Sequence, residues 1–446
     1  MPVTAPHPVF DPTPVPARGD RWAIEDLVGP FGVVTEPQRG DTRGWLPPEV
    51  SLYVASSGDV STVRGEDIPG PPGVGGAGRG VNDPALARRV AICEAVERYA
   101  MMHARRFELI TATAAELGAD ALPLDDVARC SSAELRRSGC PLVLPDPDAP
   151  IRWVEGIELI SREPRLVPLV MSHMLPTRTR QENFWLPIST GCAIHRTPIT
   201  ALLSGLYETI ERDALSVAWL RSLPLPRIDP SSISPATQQL VDWYRDRQMV
   251  VHLFDATTDV AIPSVYCVME APNDTRVAQN VACATGFDIP AIAEKAILEA
   301  AAVRAALKER LNTPRRYRDF SEPIDGAVYM GRASRRKAFS FLLDDVDRRP
   351  ASMPATRTFD SAEAELAHVL RLLGDKGMAV YAVDMSPREV EQVGYCVVRV
   401  LVPAMQPMSL IPLAQYRGHA RLRHEHPAAT GVQRTRELNP WPQPMP

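Results

Sequence analysis

Lysine is nearly absent from this 446-residue chain: of 49 basic residues only Lys295, Lys308, Lys337 and Lys376 are lysine. An anion bound away from those four must be met by arginine, backbone N–H or a metal ion. No C-x-x-C joins any of the seven scattered cysteines (Cys93, Cys130, Cys140, Cys192, Cys267, Cys283, Cys396), which argues against structural zinc. An odd, unpatterned cysteine count suits a reducing cytoplasm. No apolar run approaches ~20 residues and the first residues have no apolar signal core, so neither a membrane span nor export is expected. A net charge of −5 gives no electrostatic ground for nucleic acid. Gly-Lys-Ser/Thr is missing, which excludes a Walker loop. Gly73-x-Gly75-x-x-Gly78 has the dinucleotide spacing, but the residues before it (IPGPPG) cannot form the strand that fingerprint requires. Cys192, near Ser189 and His195, lacks the base-and-orienter pattern of a nucleophile and reads as a buried structural thiol.

What the chain has is a repeated phrase. Residues 93–100 read CEAVERYA and residues 207–214 read YETIERDA. Each holds Glu-x-x-Glu-Arg: Glu94, Glu97 and Arg98, then Glu208, Glu211 and Arg212. LEAAAVRAA gives a weaker third copy with Glu299 and Arg304. In a helix, residues three and four apart share a face, so each copy presents its acids and arginine together. One such face alone is ordinarily a solvated ion-pair stripe. Here the neighbours are small and apolar, and carboxylates in apolar surroundings need cationic partners. Faces of this kind, brought together, would hold hard divalent cations and through them phosphates.

Strands and helices alternate along the chain, which indicates a mixed α/β (α+β) fold. Residues 1–19 read as a proline-rich flexible tail, 20–430 as one catalytic domain and 431–446 as a proline-rich C-terminal tail. Strands are expected at LVGPFGVV, VSLYVAS, WVEGIELI, RLVPLVMSHM, within 249–270, and at AVYAVDM and CVVRVLVPAM. Residues 65–80 read as a Gly/Pro loop. Helices are expected from Asp83-Pro84 to about 105, over 199–221, over 291–311 and over 361–374. Residues 312–357 are arginine-rich without a period.

In this order the motifs resemble the YcaO family, in particular its azoline-forming peptide cyclodehydratases. GAGRG (76–80), AVERYA, STGCA before YETIERDA, LPLPRID, LFDATTDVAIP, GFDIPAIAEKAILEAAAVR and the terminal ELNPWPQPMP carry the resemblance. It covers about residues 25–446. The chain departs from the family pattern at Arg79, Val90, Arg196, Thr200, Ala302 and Gln443.

The resemblance implies a YcaO-like ATP-binding fold with mixed sheets and repeated glutamate-bearing helices. ATP and Mg2+ would be its cofactors. Glu94, Glu97, Glu208, Glu211 and Glu299 would bind metal or nucleotide. Arg79, Arg98, Arg212 and Arg304 would contact phosphates or brace those acids. Gly78 and Gly80 would belong to a mobile phosphate-covering loop. The C-terminal tail would reach the active site with Pro444, Met445 and Pro446. The implied reaction is ATP-driven closure of Cys, Ser or Thr onto the preceding backbone amide of a ribosomally made precursor peptide. Thioamide or macroamidine formation, or a non-catalytic scaffold, are the alternatives. A separate E1-like leader-binding partner, a flavin dehydrogenase and a homodimer complete the expectation.

Overall fold

The computed structural model describes residues 23–30, 32–57, 75–103, 109–174, 178–310, 313–344, 350–351, 353–429 and 437–445. The expected N-terminal tail, residues 65–74 of the Gly/Pro loop, the 431–436 portion of the C-terminal tail, and Pro446 lie outside these residues. The strands are β1 (Gln38–Arg39), β2 (Val50–Ser56), β3 (Gly75–Val81), β4 (Ile110–Ala112), β5 (Ile151–Glu158), β6 (Glu163–Pro168) and β7 (Cys192–His195). There follow β8 (Arg227–Ile228), β9 (Val250–Asp255), β10 (Ser264–Glu270), β11 (Gln279–Thr285), β12 (Pro350–Ala351), β13 (Tyr381–Asp384) and β14 (Cys396–Leu401). The longer helices are α1 (Pro84–Met101), α2 (Pro198–Leu220), α3 (Pro235–Arg245), α4 (Ile289–Glu309) and α5 (Ala362–Gly374). The mixed α+β expectation holds.

Three sheets result, ordered β1-β2-β3, β4-β5-β13-β14-β7 with β6 on β5, and β11-β10-β9-β8-β12. All pairs are antiparallel except β12 with β8. The period-2 alternation of side chains lets one strand serve two cores. In β10, Tyr266 and Val268 pack with Ala214–Leu220 of α2, while Val265, Cys267 and Met269 pack with α4. In β14, Val398 and Val400 pack with the first half of α2, while Val397 and Leu401 share a core with Ala91, Ile92, Ala95 and Val96 of α1. The layers are therefore α1, a sheet, α2, a sheet and α4. Each fully buried aliphatic side chain here contributes about 1.5–3 kcal/mol.

The three glutamate helices begin alike. Asp83, Thr197 and Asp288 each accept a backbone N–H from the first turn, and a proline follows within two residues. Proline lacks the N–H that would be orphaned there, so it favours the helix start. The first helix ends at Met101, short of the expected 105. LVGPFGVV is not a strand: Ile24–Leu27 forms a 3-10 turn and only a Val28–Val34 bridge remains. Gly29 there has φ +137, outside any strand conformation. RLVPLVMSHM leaves the sheet at Pro168 and continues as a helical turn, Leu169–Ser172.

Candidate active site

Strands β7 and β11 are the edges of their sheets. Helices α1 and α2 both contact β7, and α2 and α4 both contact β11. The acidic faces of the three helices thus meet around α2. Glu97 of α1 is close enough to Glu208 of α2 for each charge to oppose the other, and Glu211 of α2 stands in the same relation to Glu299 of α4. The edge-strand thiols Cys192 and Cys283 feel the same acids, and burial first, then Glu97 or Glu211, raises both well above the ordinary thiol range. Cys192 is thus an unreactive buried thiol, as its sequence context suggests.

The outer carboxylates are held. Glu94 accepts the Ala77 N–H at 2.7 Å and pairs with Arg98, which also donates to the Gly75 carbonyl. Glu208 accepts the Gly191 N–H at 2.9 Å and lies 3.4 Å from Arg212. Gly191 has φ +83, and a Cβ there would sit 2.2 Å from the Val400 carbonyl oxygen. Only glycine brings that N–H to Glu208. Glu211, 3% exposed, pairs with Arg212 at 3.0 Å and with Lys295 at 3.8 Å. Glu299 lies 3.4 Å from Arg79.

Glu97 is different. Among the described residues its carboxylate accepts no hydrogen bond and forms no ion pair. Burial, then Glu208 and Glu94, push its carboxyl well above the usual range, against the pull of Arg98 and Arg399. Burial likewise pushes Glu211 up to about 7, opposed by Lys295 and Arg212 and reinforced by Glu299 and Glu208. Acids held against their preference to ionise are the donor set of a hard divalent cation. In the present side-chain positions no three His, Cys, Asp or Glu groups among the described residues are close enough to hold one ion. Arginine and backbone amides occupy the outer acids, and Glu97 alone is without a partner.

Two arginines flank the acids. Arg212 is half-buried, and desolvation opposes its charge, but Glu211, Glu208 and Glu299 win and raise its pKa. Arg399 of β14 is 1% exposed and donates to the Ile188 carbonyl at 2.7 Å. Sequence reading missed Arg399, because a cation within an apolar strand reads as an outward residue. Lys295, one turn before Glu299, was also missed. The two arginines line a pocket with Trp185, Thr190, Thr209 and Met405.

Two expectations need correction. The Gly76–Gly80 segment is no loop but strand β3, and its alternate glycines face α1. A Cβ on Gly78 would lie 2.0 Å from the Ala87 carbonyl oxygen, and one on Gly80 would lie 2.1 Å from that of Asp83. Gly78 and Gly80 therefore serve helix–strand contact, while Arg79 between them points to Glu299. Arg304 is engaged elsewhere: it is 4% exposed, binds Asp274 at 2.6 Å and donates to the Val277 carbonyl.

The C-terminal segment runs to these acids. Asn439 donates both bonds that cap α2: its backbone N–H to the Leu220 carbonyl at 2.7 Å and its side-chain amide N–H to the Trp219 carbonyl at 3.0 Å. The Trp219 indole N–H donates to the Trp441 carbonyl at 3.2 Å. The chain then passes Gly326, where a Cβ would stand 2.7 Å from the Gln443 carbonyl oxygen. Pro444 is buried, and Met445, 2% exposed, presents its sulfur to Arg212 at 3.0 Å.

A family model described as YcaO cyclodehydratase, ATP- and Mg2+-binding, matches residues 77–406. An uncharacterized protein in the tfuA 3′ region of Rhizobium leguminosarum bv. trifolii is 31% identical over 206 residues, covering 44% of this chain and 45% of that protein. A heterocyclase solved in complex with substrate and cofactor superposes with TM-score 0.76 at 21% identity, covering 95% of this chain and 56% of that one. The YcaO protein of Methanopyrus kandleri bound with AMPPCP and Mg2+ superposes with TM-score 0.56 at 17% identity, covering 84% and 86%. The chain spans about half the length of the heterocyclase, and the match to the Rhizobium protein is likewise under half of that protein.

Proposed function

The chain belongs to the YcaO cyclodehydratase family, described as binding ATP and Mg2+, and from that premise we propose that it converts Cys, Ser or Thr of a precursor peptide into azoline rings. The observation that carries this reading is the meeting of buried and half-buried acids from α1, α2 and α4, with the Glu97 carboxylate unpaired among the described residues, beside Arg212 and the C-terminal segment.

Mg2+ held by Glu94, Glu97, Glu208, Glu211 and Glu299 would neutralise phosphate charge. Arg79, Arg98 and Arg212 are placed to meet phosphate oxygens or to keep those acids oriented. The substrate side chain attacks the carbonyl carbon before it, the nucleophile loses its proton, and the carbonyl oxygen becomes an anion. That oxygen takes the terminal phosphoryl group of ATP, leaving ADP. Expulsion of phosphate and loss of the amide proton close the C=N bond. The net change is loss of one water, delivered as phosphate. Phosphoryl transfer of this kind needs positioning and charge neutralisation rather than covalent help. Residues 444–446 would line the peptide's side of the cleft.

The peptide would be delivered by a separate E1-like partner. A flavin dehydrogenase and a homodimer remain part of the same proposal. Among the described residues no helix is long and apolar enough to cross a membrane.

A peptide carrying heavy oxygen in the amide carbonyl tests the reaction. The proposal expects the heavy atom in inorganic phosphate and a peptide lighter by one water. Heavy oxygen in water, or retained in the product, would overturn it.

A further inference from the structure

Arginines without acidic partners gather where the C-terminal segment meets the body of the protein. Tyr317, Tyr329 and Trp441 form its aromatic floor: Tyr317 and Tyr329 lie edge to face with centroids 5.7 Å apart, and the Tyr317 hydroxyl reaches the Pro440 carbonyl. The Arg335 guanidinium stands 4.4 Å from the Tyr329 ring and 5.1 Å from the Trp441 ring. Arg332 lies 5.7 Å from Tyr329. Arg417 donates to the Asn439 carbonyl at 2.7 Å. Arg137 is near enough to act on Arg417 and Tyr317, and Arg315 on Arg332.

Among the described residues none of these five arginines forms an ion pair. The acid nearest Arg417, Glu134, is taken up by the backbone N–H groups of Gln415 and Arg417. Asp319 accepts the backbone N–H groups of Arg315 and Arg316. In a chain of net charge −5, like charges gathered this way are unfavourable unless something negative covers them. Elsewhere arginines do find acids, as Arg336 does with Glu270 and Asp344.

We propose that this arginine–aromatic patch docks an acidic stretch of the peptide substrate. The proposal rests on the peptide-modifying reading above. From Trp441 to Met445 an extended chain spans roughly 13 Å, and Met445 touches Arg212. A peptide held at the patch therefore lies within a few residues of the acidic cleft. Guanidinium groups bind carboxylates through paired N–H donors, and the half-buried Tyr317 and Trp441 rings give an extended chain apolar contact.

The test is fluorescence anisotropy with the full chain and a short rhodamine-labelled peptide of alternating Glu and Ser. A matching Gln-Ser peptide serves as control. Arg137→Gln combined with Arg315→Gln alters two exposed side chains and leaves the fold intact. The expected result is binding of the Glu-Ser peptide that weakens with salt and falls at least about tenfold in the double variant. Equal binding by the Gln-Ser peptide, or an unchanged affinity in the variant, overturns the proposal. So does conversion of a dimer to monomers by the double substitution, since the patch would then join copies of the chain. Mg-ATP binding and azoline formation are measured in parallel. Peptide binding without turnover sinks the reaction and spares the patch, whereas turnover without peptide binding does the reverse.

Discussion

At the residue scale the site turns on Glu97. Its carboxyl is raised by burial first, then by Glu208 and Glu94, while in an unfolded chain it titrates near its ordinary 4.5. The folded state thus holds the proton longer than the unfolded one. Below the unfolded value this group costs no stability; as pH rises, ionising it in the folded protein does. Without Mg2+, Glu97→Gln is expected to melt higher than wild type by roughly 2 °C at about pH 8, with the gap closing toward pH 4. Thermal melts across that range check this. The same variant should lose at least about a hundredfold in ATP-driven peptide modification, as one of the acids proposed to hold the charge-neutralising Mg2+ is removed. Asp213, unlike Glu97, has a cationic side-chain partner. It is fully buried, two residues after Glu211, and Arg421 grips it through bonds of 2.7–3.1 Å while also reaching Asp259 at 2.7 Å. Arg421→Met would strand that acid, and denaturant titration should show a loss of about 3–5 kcal/mol.

At the element scale, β3 and α1 act as one unit. Alternate glycines let the strand lie against the helix backbone, and that contact sets the Ala77 N–H on Glu94 and Arg79 on Glu299. Gly78→Ala should destabilise by at least about 1–3 kcal/mol, because its new Cβ would overlap the helix carbonyls. Gly75→Ala should be nearly neutral, since its Cβ would meet only the Ala55 carbonyl oxygen at 3.6 Å. Denaturant melts of the two variants separate these outcomes. The glutamate helices were legible in the sequence because caps, prolines and the repeated Glu-x-x-Glu-Arg act locally. The glycine run was misread for the same reason: glycines look like a loop until a helix is known to lie on them. β11 went unseen because every one of its residues is buried, so it lacks the alternation that marks a strand. Helix α3 was also missed, although Ser234 and Pro235 are an ordinary helix start. Arg304 looked like its counterparts Arg98 and Arg212, and only the fold shows Asp274 beside it.

At the scale of the whole molecule, helices Pro84–Met101, Pro198–Leu220 and Ile289–Glu309, far apart in sequence, meet past two sheet edges, and the C-terminal segment closes in from the far end of the chain. Deleting residues 442–446, or appending a C-terminal tag, should cut azoline formation by about a hundredfold, since misplaced contacts at a reacting centre cost that much. ATP affinity should change far less. Rates for both forms beside an N-terminally tagged control check this. The chain alone should modify peptide slowly, with a large rise when an E1-like partner is added. The most direct measurement of the central claim, that the acids of α1, α2 and α4 form the Mg-ATP site, is titration calorimetry of ATP into wild type and into Glu97→Gln/Glu211→Gln, with and without Mg2+. The account expects Mg2+-dependent binding by wild type and its loss in the double variant. Equal affinity in both proteins, or binding by wild type that ignores Mg2+, would contradict it.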